Sequence, residues 1–390
     1  MIYAKIKNLI APPITGEWGS KGNKVKVLRS TNFTNEGVLN LNDIATRDVS
    51  DKKIEKKNLK PGDIILEKSG GSPNQPVGRV VYFDLNNDTY LCTNFTSIIR
   101  PIQSKVYPKY LFYLLFANHK LGITEYFQQK TTGIINLRLN QYINRIEIPL
   151  PPLSAQKKIA AILDKAQALI DNDKKVLEKY DQLAQSVFLE MFGDPYLNTM
   201  NWKKVKTIDV CDSIVPGRTK PKSFTGAIPW ITLDDLNILG RTSESTNNKG
   251  LSENEIKKVK AKIIPKESVI MSCVGDLGMV SICNKEIVMN QQLHAFICSD
   301  EINNTFLMYN LIYQKPYMYK MATSTTVPYM NKTVCNNTPT ILPPISLQNK
   351  FDEIINNLDY QKNQAQRLLQ KSEELFNSLL QKAFKGELVE

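Results

Sequence analysis

Apolar residues recur in steps of three and four along two stretches of this chain. In the first they fall at Ile159, Ile162, Leu163, Ala166, Leu169, Ile170, Val176, Leu177, Tyr180, Leu183, Val187 and Met191. In the second they fall at Phe351, Ile354, Ile355, Leu358, Ala365, Leu368, Leu369, Leu375, Phe376, Leu379 and Ala383. That spacing puts each set on one face of an α-helix, close to a heptad seam. Both stripes weaken midway, at Asp173 in one and at Gln361 and Ser372 in the other. No Pro or Gly interrupts either stretch. Each opens on Pro-Pro, an apolar residue and then Ser154 or Ser346, which predicts a serine N-cap. Gln156 and Gln348 stand one position too early for a capping box. Phe192-Gly193 and Phe384-Lys385-Gly386 supply a glycine for a left-handed C-cap. About 38 residues at ~1.5 Å each make a rod of roughly 57 Å.

The two stretches are copies. Pro343-Pro344-Ile345-Ser346-Leu347-Gln348 repeats Pro151-Pro152-Leu153-Ser154-Ala155-Gln156 after 192 residues, and a shift by that amount superposes most of the two stripes. The period is too long for a solenoid repeat. It predicts two tandem modules, each a folded domain followed by a helix. A lone helix of this kind would expose its stripe, and the simplest cover is the other copy. Antiparallel packing is the expected arrangement, with the domains related by a pseudo-two-fold axis. Parallel packing and packing of each helix on its own domain are the alternatives.

Ahead of each helix the pattern turns strand-like. Short β-type runs lie at 24–28, 63–66, 77–83, 90–92 and 97–100, and again at 228–232, 269–272, 279–283 and 295–298. Helical patterns intervene at 108–116 and 304–313. The mixture predicts an α+β fold class: two similar domains separated by two long antiparallel α-helices that form an intramolecular coiled coil. The expected boundaries are 1–150, 151–193, 194–342 and 343–390. The domains match weakly. Leu59 to Ile65 resembles Ile263 to Ile270, Lys24 to Leu28 resembles Ile228 to Thr232, and Gly71 and Gly78 resemble Gly275 and Gly278. The loops between differ strongly, as expected of one scaffold serving two targets.

Charge narrows the partner. The 390 residues carry a formal net charge of +12, which favours a polyanion such as nucleic acid. Basic soluble proteins without such a partner also exist. The six cysteines, Cys92, Cys211, Cys273, Cys283, Cys298 and Cys335, include no C-x-x-C pair, and His119 and His294 sit near no cysteine cluster, so no metal site is expected. The lysine-broken amino terminus is no secretory signal, and no apolar run is long enough to span a bilayer. A cytoplasmic protein without a cofactor is expected.

These features reach a family. The two Pro-Pro-x-Ser-x-Gln motifs, the stretch Phe188 to Pro195 leading to Trp202, and the closing Ala383 to Leu388 resemble the DNA-specificity subunit of type I restriction–modification enzymes. The resemblance covers nearly the whole chain. It implies two target-recognition domains, each binding one half of a bipartite, asymmetric sequence in double-stranded DNA. It implies helices that fix the spacer between half-sites and dock two modification subunits, which methylate adenine N6 with S-adenosylmethionine. Restriction subunits driven by ATP would join them. One departure is that the second domain opens through Asn201-Trp202-Lys203, whereas the first begins almost at Met1 and lacks the tryptophan.

A base-reading surface needs cations for phosphates and planar polar side chains for base edges. Three kinds of loop qualify. The lead-in loops offer Lys21 and Lys24 in one domain and Arg218, Lys220 and Lys222 in the other. The loop after the strand at 63–66 offers Lys68, Ser69, Asn74 and Gln75, with Cys273 to Asp276 as its counterpart. The third loops offer Thr131, Asn136 and Arg138, and Thr325, Tyr329 and Lys332. Arg138 and Arg218 suit guanine; Asn74, Gln75 and Asn136 suit adenine. Each is more often a phosphate contact or a loop cap than a base reader. The runs Lys52-Lys53, Lys56-Lys57 and Lys257-Lys258 read equally well as solvated faces.

Catalytic patterns are missing. Gly70-Gly71 lacks the G-x-x-x-x-G-K-[ST] pattern of a nucleotide loop. An amino-methyltransferase needs a [DNS]-P-P-[FYW] loop, and the chain has Asp194-Pro195-Tyr196. The expectation is a non-catalytic recognition subunit. The rival readings are a restriction–methylation fusion, which should methylate DNA unaided, and a coiled-coil adaptor, which should show no salt-dependent DNA binding.

Overall fold

One strand order occurs twice in the computed structural model of the protein. Residues 2–72, 74–131, 134–217, 219–323 and 326–388 are described, Lys130 and Thr131 as backbone only. Two units divide the chain: residues 1–174 with 367–390, and residues 175–366.

In the first unit a sheet runs in the order Ile14–Thr15, Thr96–Ile99, Ile64–Glu67, Val80–Tyr82. In the second the order is Cys211–Ile214, Leu293–Cys298, Val269–Ser272, Val280–Cys283, with Arg241–Thr242 added at the end. A smaller sheet recurs as well. Ser20–Leu28 lies between Ala45–Asp48, antiparallel, and Tyr90–Cys92, parallel. Ile228–Ile231 lies likewise between Gly250–Leu251 and Val288–Met289. The weak match of 24–28 to 228–232 thus pairs the two middle strands. A two-stranded ribbon closes each unit, Tyr3–Lys5 with Glu147–Pro149 and Lys204–Lys206 with Pro339–Ile341.

The strands at 64–67 and 269–272 are buried on both faces, which is why they read as unbroken apolar runs. Helix Pro108–Lys120 covers the first sheet at Val80–Tyr82, and Asn304–Tyr313 covers the second at Val280–Cys283. Two expected strands start later than their apolar run: Val80 rather than Val77, and Val280 rather than Met279. Gly78, at φ 110°, and Gly278, at φ 73°, hold the turns just before them.

The long helices span Leu153–Phe192 and Ile345–Lys385. Their ends correct one expectation and meet another. Pro152 O accepts the Gln156 amide at 3.0 Å and Pro344 O accepts the Gln348 amide at 3.2 Å, so each helix begins before its serine. Ser154 and Ser346 are therefore not N-caps; the rigid Pro-Pro pair sets the start. Gly193 (φ 71°) and Gly386 (φ 75°) take the left-handed conformation at the far ends.

The motif glutamines have a different task. Gln156 Oε1 accepts the Tyr107 amide at 2.8 Å while its Nε2 donates to Pro151 O at 2.8 Å. Gln348 repeats this, accepting the Asn303 amide at 2.9 Å and donating to Pro343 O at 2.8 Å. Both side chains are buried. Each glutamine ties the start of a long helix to the start of the helix that covers its sheet.

The helices run antiparallel. In the second unit Asp181 pairs with Lys362, and one helical turn or more further on Phe188 and Phe192 pack on Phe351, with ring centroids 5.3 and 5.5 Å apart. In the first unit Ser372 Oγ donates to Asp173 at 2.7 Å, so the polar weak points of the two stripes satisfy each other. Phe376 packs there on Tyr113 and Phe116 at 6.3 Å. The buried faces are narrower than the stripes predicted. Ile159, Leu163, Ala166 and Ile170 are buried, as are Phe351, Ile355, Ala365, Leu369, Phe376 and Ala383, but Ile162, Leu169, Leu183, Leu368 and Leu375 are exposed. After Asp173 the buried face moves to Ala184, Phe188 and Phe192.

Candidate nucleic-acid interface

Two of the three predicted loop sets converge in the first unit. Strand Ser69–Gly71 pairs with Ile134–Leu137, which pairs with Gln128–Thr131. This places Lys68, Ser69, Asn136 and Arg138 on one ribbon. Ser69 Oγ donates to Asn136 Oδ1 at 2.5 Å, and Lys68 O accepts the Leu137 amide at 2.8 Å. Asn74 and Gln75 lie exposed on the turn that follows, closed by paired bonds between Ser72 and Gln75 of 2.9 and 3.0 Å. The side chain of Thr131 lies outside the described residues.

Lys68 and Arg138 line one cavity of about 540 Å³ with Thr15, Ser97, Asn140 and Gln141. Lys68 Nζ donates to Thr15 Oγ1 at 2.8 Å, which fixes the ammonium toward this recess. Burial, with Lys57 adding to it, holds the Lys68 pKa below the usual lysine range. Arg138 is exposed; its amide donates to Phe127 O at 2.9 Å, while its guanidinium stays on the surface. The pair supplies two cations and several hydroxyl and amide groups in one recess, a combination suited to phosphate oxygens.

Lys21 and Lys24 sit on the smaller sheet instead. The segment read as a loop is the bulged start of strand Ser20–Leu28, its register shifting between Lys21 and Val25. Asp48 clamps the bulge by accepting the amides of Asn23 and Lys24, both at 3.1 Å. Both lysines are exposed, and Lys24 is bound to Asp51 at 2.7 Å. Alternation of lysine and valine at 24–28 was a strand signal, and the polar residues ahead of it hid the extension.

In the second unit Arg218 and Thr325 lie outside the described residues. Lys220 and Lys222 are exposed and, among the described residues, pair with no carboxylate. Their loop is held at both ends. Gln291 Nε2 donates to Gly217 O at 2.8 Å, and Ser223 Oγ donates to Glu255 at 2.5 Å. Tyr329 bridges Val274 and Thr323 and leaves its ring exposed. Lys332 opens the helix Lys332–Asn336, where Asn331 accepts the Val334 amide at 3.0 Å. The loop at Gly275 and the loop carrying Tyr329 thus occupy the place of the first unit's ribbon. Asp276 is engaged there by Tyr319 at 3.1 Å and Lys315 at 3.6 Å.

Sequence reasoning missed the cation–aromatic stacks. Arg47 lies 3.9 Å over Trp18, on the smaller sheet of the first unit. Lys249 lies 5.4 Å over Phe224 and 5.8 Å over Trp230 on the matching sheet of the second. The tryptophans were the available signal, but strand pairing decides which cation meets them. Among the described residues no group of three or more His, Cys, Asp or Glu could hold a metal, and no helix is long and apolar enough to cross a membrane.

A model of the type I restriction modification DNA specificity domain matches the chain twice, over residues 19–179 and 200–375. The chain belongs to this family. A specificity subunit of the type I restriction enzyme HindI from Haemophilus influenzae is 22% identical over 341 residues, covering 68% of this chain and 72% of the relative. The MjaIX specificity subunit of Methanocaldococcus jannaschii is 24% identical over 371 residues, covering 88% and 82%. Among solved structures, a chain from work on complex assembly and conformational transition of the type I R-M system aligns over 99% of this chain and 98% of its own, with a TM-score of 0.61 at 18% identity. The S subunit of a type I system from M. genitalium aligns over 98% and 96%, with a TM-score of 0.55 at 16% identity. This specificity subunit therefore has the fold of its family, and it is the recognition subunit of a type I system rather than a catalytic one.

Proposed function

We propose that the subunit reads a bipartite sequence in double-stranded DNA, one half-site with each recognition domain, residues 1–150 and 194–342. The carrying observation is the repeated strand order with unlike loops at the same place: Lys68, Ser69, Asn136 and Arg138 in one unit, Tyr329 and Lys332 in the other. A common scaffold fixes where the reading loops stand, and their different residues make the half-sites different. The +12 charge supplies the sequence-independent attraction.

The long helices, within 151–193 and 343–390, serve as the frame. They hold two adenine-N6 methyltransferase subunits, and through the complex the restriction and translocase subunits, so that each half-site presents one adenine for flipping. Exposed Ile162, Leu169, Leu183, Leu368 and Leu375 support this, since apolar side chains outside the helix seam suit a protein partner.

The test is reconstitution of the full chain with the modification subunits, S-adenosylmethionine and random-sequence DNA, followed by methylation mapping. The expected result is a split motif methylated once in each half. A contiguous motif, or methylation by the chain alone, overturns the reading.

A further inference from the structure

The strands Cys211–Ile214 and Leu293–Cys298 pair antiparallel, with Cys211 directly opposite Cys298. The Ser299 amide donates to Val210 O at 3.0 Å, one residue outside the pair on each strand. Cys211 and Cys298 therefore occupy a non-hydrogen-bonded position, where Cα atoms stand about 4.5 Å apart and side chains approach closest. That separation is inside the range a disulfide spans, about 4.4–6.8 Å.

The internal repeat supplies a control. In the first unit the Ile102 amide donates to Leu9 O at 2.8 Å, and Ile10 bridges Pro101 at the matching position. The same bond geometry there holds an apolar pair. The thiols belong to the second unit alone.

We propose that Cys211 and Cys298 form a peroxide-sensitive dithiol site, closing to a cross-strand disulfide. Cys298 is partly exposed and meets the oxidant first. Its thiolate attacks one peroxide oxygen, the O–O bond breaks, and with one proton the other oxygen leaves as water; Cys298 becomes a sulfenic acid. The Cys211 sulfur then attacks the Cys298 sulfur, the S–O bond breaks, and the hydroxyl leaves with the Cys211 proton as a second water. Two thiols are oxidised and one hydrogen peroxide is reduced. Cys211 is buried, so peroxide reaches it less readily than Cys298, and it stands opposite as the resolving thiol. Cys273 and Cys335, the other neighbouring thiols, are both buried and shielded from solvent peroxide.

The strand Cys211–Ile214 is the edge of its sheet and runs on into the loop that carries Lys220 and Lys222. The disulfide would staple that edge and leave the first unit untouched. The proposal stands apart from the DNA-reading role.

The experiment treats the folded full chain with limiting hydrogen peroxide, alkylates free thiols and maps peptides by mass spectrometry. The expected result is a Cys211–Cys298 crosslink forming before any other, reversed by dithiothreitol. Cys211→Ser should leave Cys298 as a sulfenic acid that a cyclic 1,3-diketone traps, and Cys298→Ser should form neither product. Hydrogen exchange at the Asp212 and Ile214 amides of the oxidised wild type, which face the neighbouring strand, should slow at least several-fold. Persistent alkylation of both thiols, or a Cys273–Cys335 crosslink appearing first, overturns the proposal.

Discussion

Gln156 and Tyr107 are joined by a 2.8 Å bond that ties the first long helix to the helix covering the first sheet. The Tyr107 amide has no intrahelical partner at that position, and the buried glutamine satisfies it. Gln156→Leu should destabilise the first unit by about 1–3 kcal/mol, and Gln348→Leu the second by a similar amount. Chemical denaturation read by hydrogen exchange in each unit separates the two; a change of less than about 0.5 kcal/mol would refute the clamp.

The aromatic seat of the second unit should be more costly to remove. Phe188 is fully buried among Phe192, Phe306, Tyr309 and Phe351. Phe188→Ala should cost about 3–5 kcal/mol. Leu183→Ala, at a residue 47% exposed, should stay within about 0.5 kcal/mol. Urea midpoints of the two variants provide the comparison.

A charged pair gives a third expectation. Arg79 and Glu67 form a two-pronged bond of 2.8 and 2.9 Å, nearly shut off from water, and Arg79 also donates to Phe33 O and Ser30 O at 3.1 Å. Arg79→Met strands a buried carboxylate and two carbonyls, so the loss should reach about 3–5 kcal/mol. The double variant Arg79→Met, Glu67→Leu should recover much of it. Equal losses in single and double variants would show that the carboxylate carries no penalty.

His294 sets a pH dependence. It is 2% exposed, with Nε2 3.1 Å from Asn336 Oδ1, and burial lowers its pKa to about 4 from an ordinary 6.5. Between those values the unfolded chain binds a proton that the folded chain does not, so stability rises with pH. The contribution is complete above pH 6.5 and falls toward pH 4 by about 1.4 kcal/mol per unit. Denaturation midpoints of the wild type and His294→Gln between pH 4 and 7 should converge toward acid.

Lys68 and Arg138 should act on DNA rather than on folding. Lys68→Met with Arg138→Ala should weaken binding and lower the salt slope by about one to two ion equivalents. Lys220→Ala with Lys222→Ala should do the same through the other half-site. Fluorescence anisotropy across a salt series measures both; an unchanged slope would remove these residues from the phosphate contacts.

Local chemistry was legible in the sequence where it acts locally. Gly193 and Gly386 end their helices because a left-handed residue needs no distant partner. The copies of Pro-Pro-x-Ser-x-Gln located both helix starts, yet not the reason for the glutamine, whose partners Tyr107 and Asn303 lie 49 and 45 residues away. Ala184 and Phe188 were absent from the predicted stripe because the buried face shifts after Asp173. Parallel pairing of Val27 with Leu91 could not be read, since strand partners are set by the sheet and not by either segment. For the same reason the sequence nominated Lys68 and Arg138 separately, and the ribbon through Ser69 and Asn136 joins them.

The division of the chain sets an order of completion. Residues 175–366 form one unbroken unit, while residues 1–174 must wait for 367–390 to finish theirs. On the ribosome the amino-terminal unit therefore emerges first and closes last. Its sheet can form early, but the seat for Phe376 beside Tyr113 and Phe116 stays open until the second long helix has been made. A nascent chain halted before that point would carry a finished carboxy-terminal unit and an exposed aromatic patch, a natural target for a chaperone.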